Sequence, residues 1–341
     1  MIEENYSLKS ISTLKVGGNA EYYTEVETKN ELLEAVEFAK EKYLNITVLG
    51  SASNVIISDE GIKGLVIRLK NNQIEKLENN QVKAGSGLIW DEFVSFCVEQ
   101  GLYGVENLSY IPGTVGASAV QNIGAYGQEV STTIHTLTAL DLQTKEFVTL
   151  TNKDCKFSYR QSIFNSSDKG RYVIFDITYQ LNENAEFSLG YQDMAYFRED
   201  EDLSLEKIRN EIIKIRTNKL PDYDKLPNVG SFFKNPVVKE EDFALIIDKV
   251  TALNPDKGNI LKGFTTKDGK VKIPAALLIE AAGLKGYKKE HIGIYESHAL
   301  ILIHHSQKGT CQDVLDFSRY ISESIKELFG VTIEREPTVI G

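Results

Sequence analysis

The chain has 341 residues, with 38 Lys plus Arg against 49 Asp plus Glu, a net charge of −11. At roughly 150 residues per domain this is about two domains, and 42% apolar with 26% charged residues supports packed cores and excludes a disordered chain. The acidic balance argues against nonspecific nucleic-acid or membrane-surface binding, which needs a cationic field, but leaves room for a local basic pocket holding an anionic small molecule.

The first ten residues, MIEENYSLKS, are polar and carry no apolar signal segment, so a soluble cytoplasmic protein is expected. Residues 30–42 place Leu32, Leu33, Val36 and Ala39 at helical spacing. ITVL (46–49) then reads as a strand, GSASN (50–54) as a tight loop, and VII (55–57) and GLVIRL (64–69) as further strands. No helix follows the loop, which disfavours a G-x-G-x-x-G dinucleotide fold. Residues 88–100 predict a helix with Trp90, Phe93, Val94, Cys97 and Val98 inward, stopped by Gly101. Strands are expected at 133–141, 146–150 and 171–180, the last with Val173, Phe175, Ile177 and Tyr179 on one face. The charge-rich REDEDLS (198–204) marks the expected domain boundary, ahead of a helix at 204–217 with Leu205, Ile208, Ile212 and Ile215 as its stripe. The C-terminal third reads as α+β. Pro274 opens a short helix closed by Gly283, and HALILIH (298–304) is a strand. Thr310 and Asp313 begin a long helix with Val314, Phe317, Ile321, Ile325 and Leu328 inward, ended by Gly330. Val331 and Ile333 would alternate with Glu334 and Glu336 on a last strand.

Three cysteines (Cys97, Cys155, Cys311) form no C-x-x-C pair, which fits buried small hydrophobes in a reducing compartment. His304 and His305 are adjacent, so on a strand they face opposite ways and share no metal. The most unusual stretch, Leu108 to Gln128, contains no charged residue and four glycines, Gly113, Gly116, Gly124 and Gly127. Little side-chain bulk lets backbone N–H groups approach a pyrophosphate; a glycine-rich β corner would look the same. GSASN is a second such loop. Tyr159-Arg160 is either a packed arginine paired with an acid or a guanidinium aimed at a carboxylate. Gly230-Ser231-Phe232-Phe233-Lys234-Asn235-Pro236 reads as a rigid polar site beside an apolar wall, and is no G-x-S-x-G elbow. Lys285, Lys288 and Lys289 are either a solvated helix end or an anion-binding rim.

Taken together, STLKVGGNAEYY (12–23), LGSASNVIIS (49–58), GLYGVENLSYIPGTVGASAVQNIGAYGQEV (101–130), FSYRQSIF (157–164), RTNKLPD (216–222), NVGSFFKNP (228–236) and EREPTVIG (334–341) resemble the UDP-N-acetylenolpyruvoylglucosamine reductase family, in that family's order and over nearly the whole chain. SLGYQDMAYF, around Tyr191, is similar to the substrate-covering tyrosine loop of its longer, type I subclass. Two departures stand out: Ala52 occupies a position where the family usually has Gly, and the usual Glu-Pro-Glu-Val-Arg ending reads Glu334-Arg335-Glu336-Pro337-Thr338.

The resemblance implies an α+β protein with a vanillyl-alcohol-oxidase/PCMH-type FAD-binding fold. Its two subdomains would span 1–70 and 71–203, with a C-terminal substrate-binding domain at 204–341. It implies noncovalent FAD, NADPH as co-substrate, a UDP-sugar substrate, a monomer, and no metal, nucleic acid or membrane partner. Matched motif by motif, Arg160, Ser231 and Glu336 would be catalytic. Gly50, Ser51, Ala52, Ser53 and Asn54, with Ile111, Pro112, Gly113, Thr114, Gly116, Ala117, Ser118, Asn122, Gly124, Ala125, Tyr126 and Gly127, would hold FAD. Tyr191, Arg216, Lys219, Asn235 and Lys285 would hold the substrate. The implied reaction reduces the enolpyruvyl double bond to give UDP-N-acetylmuramate, in peptidoglycan precursor synthesis. Reduced flavin would deliver hydride to the β-carbon, Arg160 and Glu336 would stabilise the aci-carboxylate, and Ser231 would protonate the α-carbon. A related oxidase with covalent flavin would need a His or Cys beside the ring, and neither loop contains His. A mere binding module would need no proton donor.

Overall fold

The first helix starts where the sequence supplies a cap. Thr28 accepts from the Glu31 N–H while the Glu31 carboxylate takes the Thr28 N–H, a capping box contributing about 1 kcal/mol. In this computed structural model, which describes residues 1–184, 187–190, 194, 197, 202–266 and 268–341, that helix is α1 (Lys29–Glu41). The chain divides into two compact units: residues 1–6, 20–51 and 63–217, and residues 7–19, 52–62 and 218–341.

The first unit carries α1, α2 (Trp90–Glu99), α3 (Val115–Val120) and most of α4 (Leu205–Lys219). Strand Ile46–Leu49 pairs in parallel with Ile62–Leu69, at the edge of a four-stranded sheet. A second, antiparallel sheet orders Glu146–Thr151, Ile134–Asp141, Tyr172–Gln180, Gln81–Gly85 and Ile74–Lys76. Its central strand Tyr172–Gln180 is buried on both faces. Val173 and Phe175 join Leu32, Val36, Leu65 and Ile67 in one core. Ile174, Ile177 and Tyr179 join Trp90, Phe93 and Cys97 in another. Alternation alone put Val173 and Tyr179 on one face; register shifts where this strand pairs with Ile134–Asp141 break that period.

The second unit adds α5 (Glu240–Leu253), α6 (Pro255–Ile260), α7 (Ala275–Ala281) and α8 (Cys311–Phe329). Its main sheet runs Asn228–Ser231, Ile301–His304, Ile292–Ile294, Lys288–Lys289, all antiparallel. Thr338–Ile340 pairs in parallel with Val55–Ile57. One core gathers Phe232, Phe233, Leu278, Ile279, Phe317, Ile321 and Ile325. Residues 7–19 belong here too, since the buried His304 imidazole bonds the Leu14 carbonyl at 3.0 Å and accepts from Gly309 N at 2.7 Å.

The packing division falls at 217/218 and is discontinuous, because the segments 7–19 and 52–62 contribute Leu14, Val16 and Ile56 to the later core. Three expectations are corrected. The final strand is Thr338–Ile340 rather than 331–336, though Val331 and Ile333 are buried as expected. The strand expected over 298–304 begins only at Ile301, since His298 sits in a turn whose N–H bonds Tyr295 O. Leu328 is exposed on α8 and Phe329 takes the inward place, ahead of the left-handed Gly330 cap.

Candidate active site

The charge-free segment contains a helix that its composition concealed. Val115 N bonds Leu88 O and Gly116 N bonds Ser86 O, which lays the start of α3 against the turn after strand Gln81–Gly85. A Cβ on Gly116 would lie 2.6 Å from the Ser86 side chain, so only glycine permits this approach. Gly50 packs the same way: its Cβ would meet Thr114 Oγ1 at 2.7 Å and Ala117 Cβ at 3.3 Å. Gly50, Ser51, Ser86, Thr114 and Ala117 are thus brought together in the first unit. Within this group the buried hydroxyls of Ser51 and Ser86 have no protein partner. An unsatisfied buried hydroxyl costs about 1–3 kcal/mol, and two of them beside a helix N-terminus are what a phosphate-bearing ligand would satisfy. The residues present therefore fit FAD. Ser86 escaped the sequence reading, although Gly85-Ser86-Gly87 carries the same small-residue signal as GSASN.

Other expected cofactor residues have structural duties. Ser118 Oγ donates to its own helix at Val115 O, 2.6 Å away, and is buried. The Asn122 amide donates to Glu129 and Ser158 O and accepts from Ser131 N, so its side chain is engaged with the protein. Gly113, Asn122, Tyr126 and Gly127 all have positive φ, which gives this segment successive sharp turns. Ile111 and Ala125 are partly buried and Pro112 is exposed. Ala52, Ser53 and Asn54 belong by packing to the second unit, and Ala52 is buried with φ +48°. That left-handed backbone explains why glycine suits the position.

Arg160 sits in the first unit at a tight turn where Ser158 and Gln161 exchange both backbone hydrogen bonds. Its own φ is +57°, an uncommon state for arginine. Asn165 Nδ2 holds its carbonyl at 3.1 Å. Its guanidinium reaches Gly124 O at 2.9 Å and Asn122 O at 3.5 Å and lies 5.2 Å from the Tyr159 ring. The fork is thereby braced on the backbone of the flavin-loop candidate.

Ser231 and Glu336 both belong to the second unit, where their segments meet. Gly230 has φ +72° at a register shift between Asn228 and Ser231, which turns Ser231 outward to an exposed position. Phe232 and Phe233 behind it are fully buried, edge to face at 5.2 Å. Residues 334–336 run antiparallel alongside: Lys234 N bonds Glu334 O, Phe233 bridges Arg335, and Glu336 N bonds Phe232 O at 2.9 Å. The segment of Glu336 is thus bonded to the residues that directly follow Ser231, about a hundred positions earlier in the chain.

Among the expected substrate residues, Asn235 and Lys285 are linked through α7. Asn235 Oδ1 accepts from Ala275 N at the start of α7, a bond that does not use its amide NH2. Glu280 near the end of α7 takes Lys285 Nζ at 3.1 Å and also pairs with Lys257. Burial works against the Glu280 carboxylate, but the two lysines prevail and hold its pKa below the ordinary range. Lys219 is exposed at the end of α4. Arg216 belongs to the first unit, with Nε on Tyr110 O at 3.0 Å. Burial lowers its pKa, countered by Tyr126, Asp91 and Tyr110 around it. Tyr191 lies outside the described residues. Among the described residues no His/Cys/Asp/Glu group could hold a metal.

This α+β architecture, with small-residue loops converging on two unsatisfied hydroxyls, is that of an FAD-binding flavoprotein, and residues 20–149 match the model of the FAD binding domain. Residues 221–340 match the C-terminal domain of UDP-N-acetylenolpyruvoylglucosamine reductase. The chain is 38% identical to the UDP-N-acetylenolpyruvoylglucosamine reductase of Bdellovibrio bacteriovorus, with 98% of each chain covered. It is 36% identical to that of Pseudomonas savastanoi pv. phaseolicola, covering 99% of this chain and 98% of the other. The crystal structure of UDP-N-acetylenolpyruvylglucosamine reductase from Thermus caldophilus shares the fold, with a TM-score of 0.71 at 22% identity over 100% of this chain and 99% of the other. The chain belongs to the UDP-N-acetylenolpyruvoylglucosamine reductase family.

Proposed function

We propose that the chain reduces the enolpyruvyl double bond of UDP-N-acetyl-3-O-(1-carboxyvinyl)-glucosamine to UDP-N-acetylmuramate, in peptidoglycan precursor synthesis. It is a flavoenzyme with FAD as cofactor and NADPH as reductant. The observation that supports the reading is the pairing of the segments that carry Ser231 and Glu336: Glu336 N bonds Phe232 O, one residue beyond an exposed serine and in front of the buried Phe232 and Phe233. When bound, FAD supplies the hydride, taken from NADPH, that adds to the β-carbon of the substrate. The chain's residues handle the charge and the proton. Negative charge develops from the α-carbon into the substrate carboxylate, where the Arg160 guanidinium stabilises it by charge and Glu336, if protonated, by donating a hydrogen bond. Ser231 Oγ–H then protonates the α-carbon, with Lys219 or Lys234 as the cation supporting the alkoxide left behind. Asn235 Nδ2 and Lys285 Nζ bind the diphosphate, and Lys285 exchanges part of its pairing with Glu280 for it.

The expected division of labour, flavin-binding subdomains followed by a substrate domain, fits the matched regions 20–149 and 221–340. The thiols have no part in the chemistry: burial pushes the Cys311 thiol up to about 11 and raises Cys97 and Cys155 as well. Three free buried cysteines suit a reducing cytoplasm, and a monomer completes the proposal. Among the described residues no helix is long and apolar enough to cross a membrane.

The test is a pair of half-reactions. Purified protein should be yellow, bleach with NADPH, and recolour when the enolpyruvyl sugar is added without oxygen. A bleached flavin that the enolpyruvyl sugar does not reoxidise refutes the activity. Lys285→Ala should raise KM for the sugar about tenfold with flavin reduction unchanged.

A further inference from the structure

Tyr110, near the start of the flavin-loop candidate 108–128, has φ +59°, a conformation disfavoured for an aromatic residue. Both of its backbone polar groups are held by side chains. Its N–H donates to the Asp91 carboxylate, and its carbonyl accepts from Arg216 Nε at 3.0 Å. Asp91 lies in the first turn of α2, where the helix dipole favours a negative charge. Arg209 grips the same carboxylate with both fork nitrogens, Nη1 to Oδ1 at 2.7 Å and Nη2 to Oδ2 at 2.8 Å. The Arg209 side chain is only 13% exposed, so the pair is partly shielded from water. Arg209 and Arg216 are seven residues apart on α4, two turns along one face. Immediately beyond, Trp90 N bonds Gly113 O, so both ends of residues 110–113 are tied to the start of α2.

We propose that Asp91 and Arg209 form a latch that holds Tyr110 left-handed and so presets the loop that receives the flavin. The inference rests on the reading of 108–128 as FAD-binding. The latch touches the backbone of the loop rather than any reacting group, so Asp91 and Arg209 are positioning residues. Without it, Tyr110 relaxes to ordinary backbone angles in most molecules, and FAD affinity falls by the fraction still preset.

The test titrates FAD into flavin-stripped protein and follows flavin fluorescence. Asp91→Asn should raise the FAD Kd about tenfold or more, while Arg209→Gln, which leaves the carboxylate on Tyr110 N–H, should raise it about threefold. Tyr110→Gly removes the need for the latch, because glycine takes the left-handed turn unaided. In that background Asp91→Asn should change Kd less than about twofold, an outcome that a purely structural role would not produce. If Asp91→Asn fails to fold, Arg209→Lys, which keeps the charge and loses the fork, carries the same comparison. The latch is overturned if Asp91→Asn leaves Kd within twofold of wild type, or costs as much beside Tyr110→Gly as alone. A wild-type apoprotein that takes up no FAD overturns the flavin reading itself.

Discussion

Arg160 and Ser231 reach their positions in opposite ways. Arg160 is held by strain and bracing: a left-handed residue in a two-residue turn, with its carbonyl bonded by Asn165 and its guanidinium laid on two carbonyls. Ser231 is held by the strand ladder, with the strain moved one residue back onto Gly230, where it costs nothing, and with its hydroxyl left exposed. In the proposed reaction, a fork that presents fixed charge to a developing carboxylate gains from rigid bracing. A proton donor needs its oxygen within reach and free to rotate.

The largest effect expected from breaking this contrast is at Ser231. Ser231→Ala should leave flavin reduction by NADPH within a few-fold while slowing reoxidation by the enolpyruvyl sugar about 10²–10⁴-fold, the scale for losing a positioned general acid. Ser231→Cys should retain more, since a thiol also donates. Stopped-flow flavin absorbance measures each half separately, and wild-type reoxidation by the alanine variant would make the Ser231 bulge merely structural. At Arg160 the bracing is at stake. Arg160→Lys keeps the charge but cannot span the Gly124 and Asn122 carbonyls, so reoxidation should fall about 10²-fold; a loss under threefold would show that the charge alone suffices.

Gly230→Ala sharpens the point about strain. A Cβ there meets nothing within 4 Å, so its cost of about 1–2 kcal/mol comes from φ +72° alone. Thermal unfolding should show a Tm lowered by a few degrees, with reoxidation slowed as the Ser231 position shifts. The smallest effect concerns Ala52, which carries such strain at φ +48°. Ala52→Gly should raise stability by about 0.5–1 kcal/mol in denaturant melts; a loss instead would mean that the buried methyl contributes more by packing than the backbone strain costs.

Much of this could be read from the chain alone, for local reasons. The α8 capping box at Thr310, the Gly330 stop, and the helices near 30–42, 88–100 and 204–217 all follow from spacing and end residues, which act within a few positions. Other elements stayed hidden. α3 has no charge and little amphipathic contrast, and α5 contains too mixed a pattern to announce itself. Pairing partners across long separations, such as Thr338–Ile340 with Val55–Ile57, leave no local trace at all.

The residues proposed to carry chemistry are visible in the sequence as types in motifs. Their arrangement is not. That Glu336 N bonds Phe232 O next to Ser231, that Gly50 and Gly116 admit Thr114 and Ser86, and that Asp91 joins Arg209 to Tyr110 depend on contacts between segments far apart in the chain. Such contacts form only when burial of the cores brings those segments together, because hydrogen bonds and ion pairs at the surface contribute too little to do so alone.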